Sequence, residues 1–431
     1  MSVIPSFALH FSDDTPVTDR VRRLVLLVCA IGGLVVPAYF LGIADVSHLA
    51  WDFRAYYTAA EAVIHGHSFV GINTGIPGVT YVYPPISVVF FLPHTAMGSW
   101  QLAFAFQTAI NVCATIALAA LTIRTIETYR GRLPLIDRTV ITGFCLGTVP
   151  VMAVFGLGQV DMVIALALAA AFVALEHGRE GIAGAALGGA ALVKLFPAVL
   201  GLWLLWRRAW RALAAAVLTG ISGVIVGGVL FGFEIYSEYL HVLAGRSRIA
   251  AFSETVSPNF FSMTLFRPFS QLFPHTDPHL YALFAVLAVT PILALTATRD
   301  HTVTDRVTTY LTALIAMLVV SPASNTLYVV YVYFPLLCLL HLDTGQRGRT
   351  ALLVGTIAIA FPVQPAQIHA VLTTAGVSPS LTTQGFGILS EALTVVSIPL
   401  AGLLAILGWC AVRSTRTRTD PDGESQALPA D

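Results

Sequence analysis

The residues here that could do chemistry are one aspartate at the end of an apolar run, one lysine inside apolar sequence and a few arginines in long loops. Asp52 stands in Trp51-Asp52-Phe53-Arg54-Ala55-Tyr56-Tyr57, directly after the first apolar run. A carboxylate partly withdrawn from water there would hold a proton more tightly and could take one from a substrate hydroxyl. The alternative is that Asp52 simply N-caps a helix beginning at Phe53. Lys194, in Ala191-Leu192-Val193-Lys194-Leu195-Phe196-Pro197, is the only lysine of the chain. A cation at membrane depth is costly and marks a functional site by default, with a phosphate group as its natural partner. Its alternative is snorkelling to the interface. Arg54, Arg246, Arg248 and Arg267 carry guanidiniums that match phosphate oxygens in pairs, although loop solubility accounts for Arg246 and Arg248 equally well.

Other polar residues fall in the same loops. Phe155-Gly156-Leu157-Gly158-Gln159-Val160-Asp161 joins two apolar runs, so Gln159 and Asp161 could bond sugar hydroxyls, or Asp161 could cap the next helix. The glycines do not make a phosphate loop, because no strand precedes them and no Gly-Lys-Ser follows. Tyr83 begins Tyr83-Pro84-Pro85, an extended, rigid turn that shapes a site more than it reacts. Glu391 is an isolated acid in the last apolar run, either a substrate contact or a hydrogen-bonded structural group. His65-Gly66-His67 and His275-Thr276-Asp277-Pro278-His279 contain ligand types, but Pro278 breaks the helical register, so no metal site is expected. The five cysteines all lie in apolar runs without CxxC spacing and read as small core residues.

The elements that must position these groups are membrane helices. Only 11% of the 431 residues are charged, against about 25% in soluble domains, and 56% are hydrophobic. The 23 basic and 23 acidic residues cancel, which leaves nothing to attract nucleic acid. The expected fold class is all-α, a polytopic integral membrane protein with about 11–13 spans. Long candidate spans are 23–43, 99–123, 159–176, 209–232, 279–298 and 383–411; shorter ones are 139–155, 181–193, 195–206, 306–320, 327–341 and 350–362. Short and Pro- or Gly-interrupted spans are tolerated only around a covered cavity. The first run lacks a small-residue cleavage site and is expected to be retained, not removed as a signal peptide.

Segment 85–97 has an internal Pro93 and is too short to cross, so it is expected to be re-entrant or interfacial. With that choice Arg20, Arg22, Arg23, Arg124, Arg130, Arg132, Arg138, Arg179, Arg207, Arg208, Arg211, Arg299, Arg306, Arg347, Arg349, Arg413, Arg416 and Arg418 share one side. The positive-inside rule makes that side cytoplasmic. The resulting organisation is a cytoplasmic tail at 1–22, one transmembrane domain at 23–411 and a disordered cytoplasmic tail at 412–431. Outer loops 44–98, 233–278 and 363–382 hold the remaining basic residues apart from Lys194, and function concentrates in such loops.

An outer Asp after the first span, then Tyr-Pro-Pro, Gly-Gln and Lys-x-x-Pro, resembles glycosyltransferase family 87, over about 24–341. That family comprises C-type integral-membrane enzymes using polyprenyl-phosphate sugars, among them mycobacterial phosphatidylinositol-mannoside mannosyltransferases, and archaeal dolichyl-phosphate-mannose enzymes look similar. The resemblance implies that Asp52 is the catalytic base, that Lys194 binds the donor phosphate, and that Asn259, Ser262 and Arg267 form the Asn…Ser…Arg pattern of the second loop. Ser321-Pro322-Ala323-Ser324-Asn325-Thr326-Leu327-Tyr328 departs from it: bacterial members carry Trp and His after this Ser-Pro, where Asn325 and Tyr328 stand here. The implied activity is an inverting transfer of a sugar, mannose foremost, from a polyprenyl-phosphate donor to a glycolipid or lipid-linked glycan acceptor. It would take place at the extracytoplasmic face of the cell membrane, among membrane lipid and without a cofactor. A transporter or flippase of a lipid-linked sugar would use the same cations, but it needs access from both sides, and no inverted repeat is evident. A membrane scaffold leaves Lys194 unexplained.

Overall fold

A computed structural model describes residues 17–43, 49–76, 78–245, 248–253, 256–343, 345, 348–377 and 390–416. Among them the regular structure is helical throughout, apart from one isolated bridge between Asn73 and Thr80. Six helices are long and apolar enough to cross a membrane: Val17–Tyr39, Trp100–Arg130, Trp210–Phe231, Pro278–Ala297, Val303–Val320 and Ile398–Thr415. Two bent pairs, Leu135–Gly147 with Val149–Leu157 and Arg349–Ala360 with Pro365–Thr374, raise the number to eight if each is one span. Shorter apolar helices stand at Pro85–Thr95, Glu180–Val193, Phe196–Trp206 and Thr326–Leu342. The expected all-helical, multi-pass architecture is what the structure shows.

Burial separates inner from outer helices. Of the Val303–Val320 span 78% is buried, so it runs through the centre of the bundle. Only 11% of the Trp210–Phe231 span is buried, and Leu218, Val229 and Leu230 point outward. Such a surface is stable against lipid, where a contiguous apolar face in water would associate or aggregate. Glu180–Val193 packs on Trp210–Phe231 through Gly184 and Gly188. A Cβ on Gly184 would lie 2.0 Å from the Ala212 carbonyl oxygen, so only a small residue permits this approach. Close backbone contact is how helices associate where lipid supplies no hydrophobic drive.

Prolines interrupt the spans where the polar residues lie. Pro197 has no N–H to give the Val193 carbonyl, and its ring would collide with it, so the helix ends at Val193. Lys194 follows in an extended conformation, before the short helical turn Phe196–Val199. Thr148-Val149-Pro150 bends the preceding pair by 45°. The run expected at 383–411 differs from the observed helix, which is Ile398–Arg416, with Pro399 in its first turn where its missing N–H costs no bond. Residues 383–389 of that run lie outside the described residues, as do 1–16 and 417–431 of the expected tails.

The arginine-rich ends of the helices are tied by ion pairs. Asp137 accepts from Arg23 through both carboxylate oxygens, each at 2.9 Å, and from Arg22 at 3.2 Å. Arg413 binds Asp305 at 2.8 Å and Asp343 at 3.2 Å, and Arg306 clasps Glu176 at 2.7 Å. These pairs hold the Leu135–Gly147, Val303–Val320 and Ile398–Arg416 helices, and the last residue of Asp161–Glu176, at one end of the bundle.

Candidate active site

Five interruptions of helical structure meet at the other end. They are the first turn of Trp51–Ile64, the Tyr81–Pro84 segment, the turn at 158–161, the break at Lys194 and the 3-10 turn Thr326–Val332. Asp52 lies in the first turn of its helix, whose N-cap is Ala50 in left-handed backbone with no side-chain cap. The capping alternative for Asp52 is therefore not the role it takes. The Gln159 side-chain amide donates to Asp52 Oδ2 at 2.6 Å, and its oxygen accepts from Lys194 Nζ at 3.4 Å. Lys194 also donates to Asp161 Oδ1 at 2.5 Å. Asp52, Gln159, Lys194 and Asp161 thus form one continuous polar chain drawn from three separate stretches of sequence.

The chain is deep. Asp161 is fully buried and Lys194 and Gln159 are 4% and 5% exposed, while Asp52 is half-buried at its open end. Asp161 is the first residue of the Asp161–Glu176 helix and leaves that helix uncapped, because its carboxylate turns to Lys194 and to the Tyr331 hydroxyl. The helix N-terminus favours that negative charge. Asp161 Oδ2 has no hydrogen-bond partner among the described residues. The ammonium also sits 4.3 Å from the Tyr328 ring centre and 5.9 Å from that of Tyr83, over faces that attract cations. Tyr328 is itself stacked on Phe196.

Tyr56 donates to the Tyr83 hydroxyl at 2.8 Å, and the Tyr56 ring stacks on Phe91 at 4.3 Å. Burial pushes both phenols up, strongly for Tyr56, with nearby Lys194 pulling Tyr83 back only in part. Both remain protonated at neutral pH and are not bases.

The 158–161 turn is held by backbone geometry. Gly158 has a φ of +69°, and a Cβ there would lie 2.6 Å from Phe53 Cβ, so the turn rests directly on the Asp52 helix. Ala50 N bonds the Gly156 carbonyl at 2.8 Å, and Asn111 donates to the Gln159 carbonyl at 2.7 Å. Asn111, Tyr56 and Tyr331 were not singled out from the sequence. Asn111 carried a readable signal, an amide within a long apolar helix, and Tyr331 shares the three-residue spacing of a 3-10 face with Tyr328.

The remaining expected site residues lie elsewhere. Arg54 stacks its guanidinium over Trp100 at 4.2 Å. Arg267 is fully buried, donating to the carbonyls of Leu393 and Ser257 at 2.7 Å each and of Phe260 at 3.3 Å, and burial pushes its guanidinium down to about 10. Asn259 accepts from Ala366 N at 2.8 Å, Ser262 gives its carbonyl to Ser397 at 2.8 Å, and Asn325 caps the Thr326–Val332 turn. These contacts join the second outer loop to the C-terminal helices. Arg246 lies outside the described residues, and Arg248 begins the short turn Arg248–Phe252. Glu391 is exposed. His65 and His67 are exposed and stacked at 6.4 Å, and among the described residues no three His, Cys, Asp or Glu side chains gather as metal ligands would.

A multi-pass helical bundle with a buried carboxylate–amide–ammonium chain opening at one end has the layout of an integral-membrane enzyme. The model of glycosyltransferase family 87 matches residues 81–322, more than half of the chain, and the protein belongs to that family. Gln159, Asp161, Lys194, Asn259, Ser262 and Arg267 fall within the match; Asp52, Asn325 and Tyr328 fall outside it.

The chain is 24% identical over 355 residues to the polyprenol-phosphate-mannose-dependent alpha-(1-2)-phosphatidylinositol pentamannoside mannosyltransferase of Mycolicibacterium smegmatis, covering 80% of this chain and 83% of that one. The Mycobacterium tuberculosis protein of the same name is 23% identical over 320 residues, covering 72% and 70%. Among solved structures, ArnT from Cupriavidus metallidurans bound to undecaprenyl phosphate aligns with a TM-score of 0.39 and 16% identity over 96% of this chain and 80% of that one. Family membership selects the transferase reading over the transporter.

Proposed function

We propose that the protein transfers mannose from a polyprenyl-phosphate donor to a hydroxyl of a glycolipid or lipid-linked glycan, with inversion at the anomeric carbon. The observation that carries this reading is the Gln159 amide, which joins Asp52 at one end to Lys194 at the other. It sets a carboxylate able to take a hydroxyl proton one side chain away from a cation able to hold a phosphate. The names of the mycobacterial relatives supply the donor and the sugar.

In the reaction Asp52 takes the acceptor hydroxyl proton as the oxygen attacks the anomeric carbon. The bond from that carbon to the phosphate oxygen breaks, and its electron pair leaves with the lipid phosphate. The phosphate changes from a singly charged diester to a monoester bearing one more negative charge. Lys194, in a site shielded from water, stabilises the charge that develops. Tyr83 and Tyr328 line the ammonium.

The proposed activity includes a side of the membrane, supported by the two ends of the Asp161–Glu176 helix. Asp161 binds Lys194 at one end, and Glu176 binds Arg306 and Arg207 at the other. At 1.5 Å per residue those ends are about 22 Å apart. The tendency of arginine-rich ends to stay in the cytoplasm supports an extracytoplasmic site in this reading.

The test is transfer by purified protein in nanodiscs, from radiolabelled polyprenyl-phosphate mannose to candidate glycolipids, with the product anomer read by NMR. The native protein should transfer with inverted configuration, while Asp52→Asn should melt at the native temperature and lose activity at least a hundredfold. A folded Asp52→Asn protein that still transfers mannose overturns the assignment.

A further inference from the structure

Gln159 sits between two groups that make opposite demands on it. A carboxylate only accepts hydrogen bonds and an ammonium only donates them, so the amide nitrogen must face Asp52 and the amide oxygen Lys194. The observed contacts, 2.6 Å to Asp52 and 3.4 Å to Lys194, meet both demands at once. Turning the amide over would set its oxygen against the carboxylate and its N–H groups against the ammonium. The backbone below is equally constrained: Asn111 holds the Gln159 carbonyl at 2.7 Å, the Gln159 N–H bonds the Val154 carbonyl at 3.1 Å, and Gly158 lies against Phe53 with no room for a Cβ. The residue has little freedom of position, and the polarity of its amide is dictated from both ends.

We infer that Gln159 is a positioning residue that orients the Asp52 carboxylate toward the acceptor hydroxyl and ties that orientation to the ammonium of Lys194. It touches no reacting atom and acts through Asp52. The sequence offers a sugar-hydroxyl contact for Gln159; here both ends of its amide are occupied by protein groups. The inference rests on the reading of Asp52 as the base, and orientation of a catalytic group is a substantial part of what an enzyme supplies when chemistry is fast only from one approach.

Two substitutions test it in the full-length protein in nanodiscs. Gln159→Met keeps length and removes both polar contacts. It should lower kcat at least tenfold with donor KM changed less than threefold, and move the acid limb of kcat/KM up, because the carboxylate loses a donor. Gln159→Glu places a second carboxylate beside Asp52, and paired carboxylates share a proton. The acid limb of kcat/KM should move up by at least one pH unit, with activity recovering toward the native level as pH rises. Replacing a residue that merely packs with Met would not move the pH profile. The inference fails if Gln159→Met retains kcat within twofold of native, or if Gln159→Glu leaves the acid limb in place while Asp52→Asn is inactive. An active Asp52→Asn protein removes the base itself, an outcome distinguishable from failure of the Gln159 role alone.

Discussion

Lys194 Nζ lies 2.5 Å from Asp161 Oδ1, with Asp161 fully buried and Lys194 nearly so. A lysine at membrane depth is tolerated because an acid brought by the start of the next packed helix compensates it. The pair therefore has a structural consequence as well as a chemical one. Lys194→Met strands the Asp161 carboxylate and should destabilise the protein by about 3–5 kcal/mol, the usual cost of breaking a buried pair from one side. Combining it with Asp161→Asn should recover more than half of that loss, because no uncompensated charge remains. Neither variant should transfer sugar. Urea unfolding in detergent reads the stabilities and the transfer assay the rest; a double variant no more stable than the single one would count against the pairing.

Gly158 is held in the left-handed region against Phe53. Gly158→Ala should cost about 1–2 kcal/mol from backbone conformation alone, and more from the collision with the Asp52 helix. Because the turn positions Gln159 against Asp52, activity at a temperature where the variant is fully folded should fall at least tenfold. Full activity in that variant would show that the 158–161 turn can move without disturbing the site.

Arg267 gives its guanidinium to three carbonyls that link the second outer loop to the C-terminal helices. Arg267→Lys replaces a planar fork with a single point charge, which cannot reach three acceptors in that arrangement. The melting temperature should drop by several degrees, with donor KM within threefold of native. A large rise in donor KM at unchanged stability would return Arg267 to the phosphate.

Asp137 accepts from Arg22 and Arg23 at the opposite end of the bundle. Asp137→Asn leaves the Arg23 guanidinium without its carboxylate, while Arg22 keeps Asp19 at 2.7 Å, and should destabilise by about 3 kcal/mol. Its folded fraction should transfer sugar at the native rate, since the change lies a helix length from the site. A drop in kcat per folded molecule would argue that the two ends are coupled.

The membrane class was legible from composition and runs alone, because hydrophobicity is a local property of the chain and lipid demands long stretches of it. The scarcity of charge made Lys194 conspicuous, and Pro197 next to it already marked a broken span. Asp52 too could be picked out by its place after the first run. What could not be read was pairing across sequence. Gln159 and Asp161 looked like sugar contacts or caps; the packing of the Asp161–Glu176, Glu180–Val193 and Trp51–Ile64 helices turned them toward Lys194 and Asp52 instead. Arg267 looked like a phosphate ligand by type, and the fold surrounded it with carbonyls. The reason is physical: a span is specified by residues a few positions apart, whereas a buried ion pair or an oriented amide depends on helices distant in sequence meeting at a particular depth and rotation.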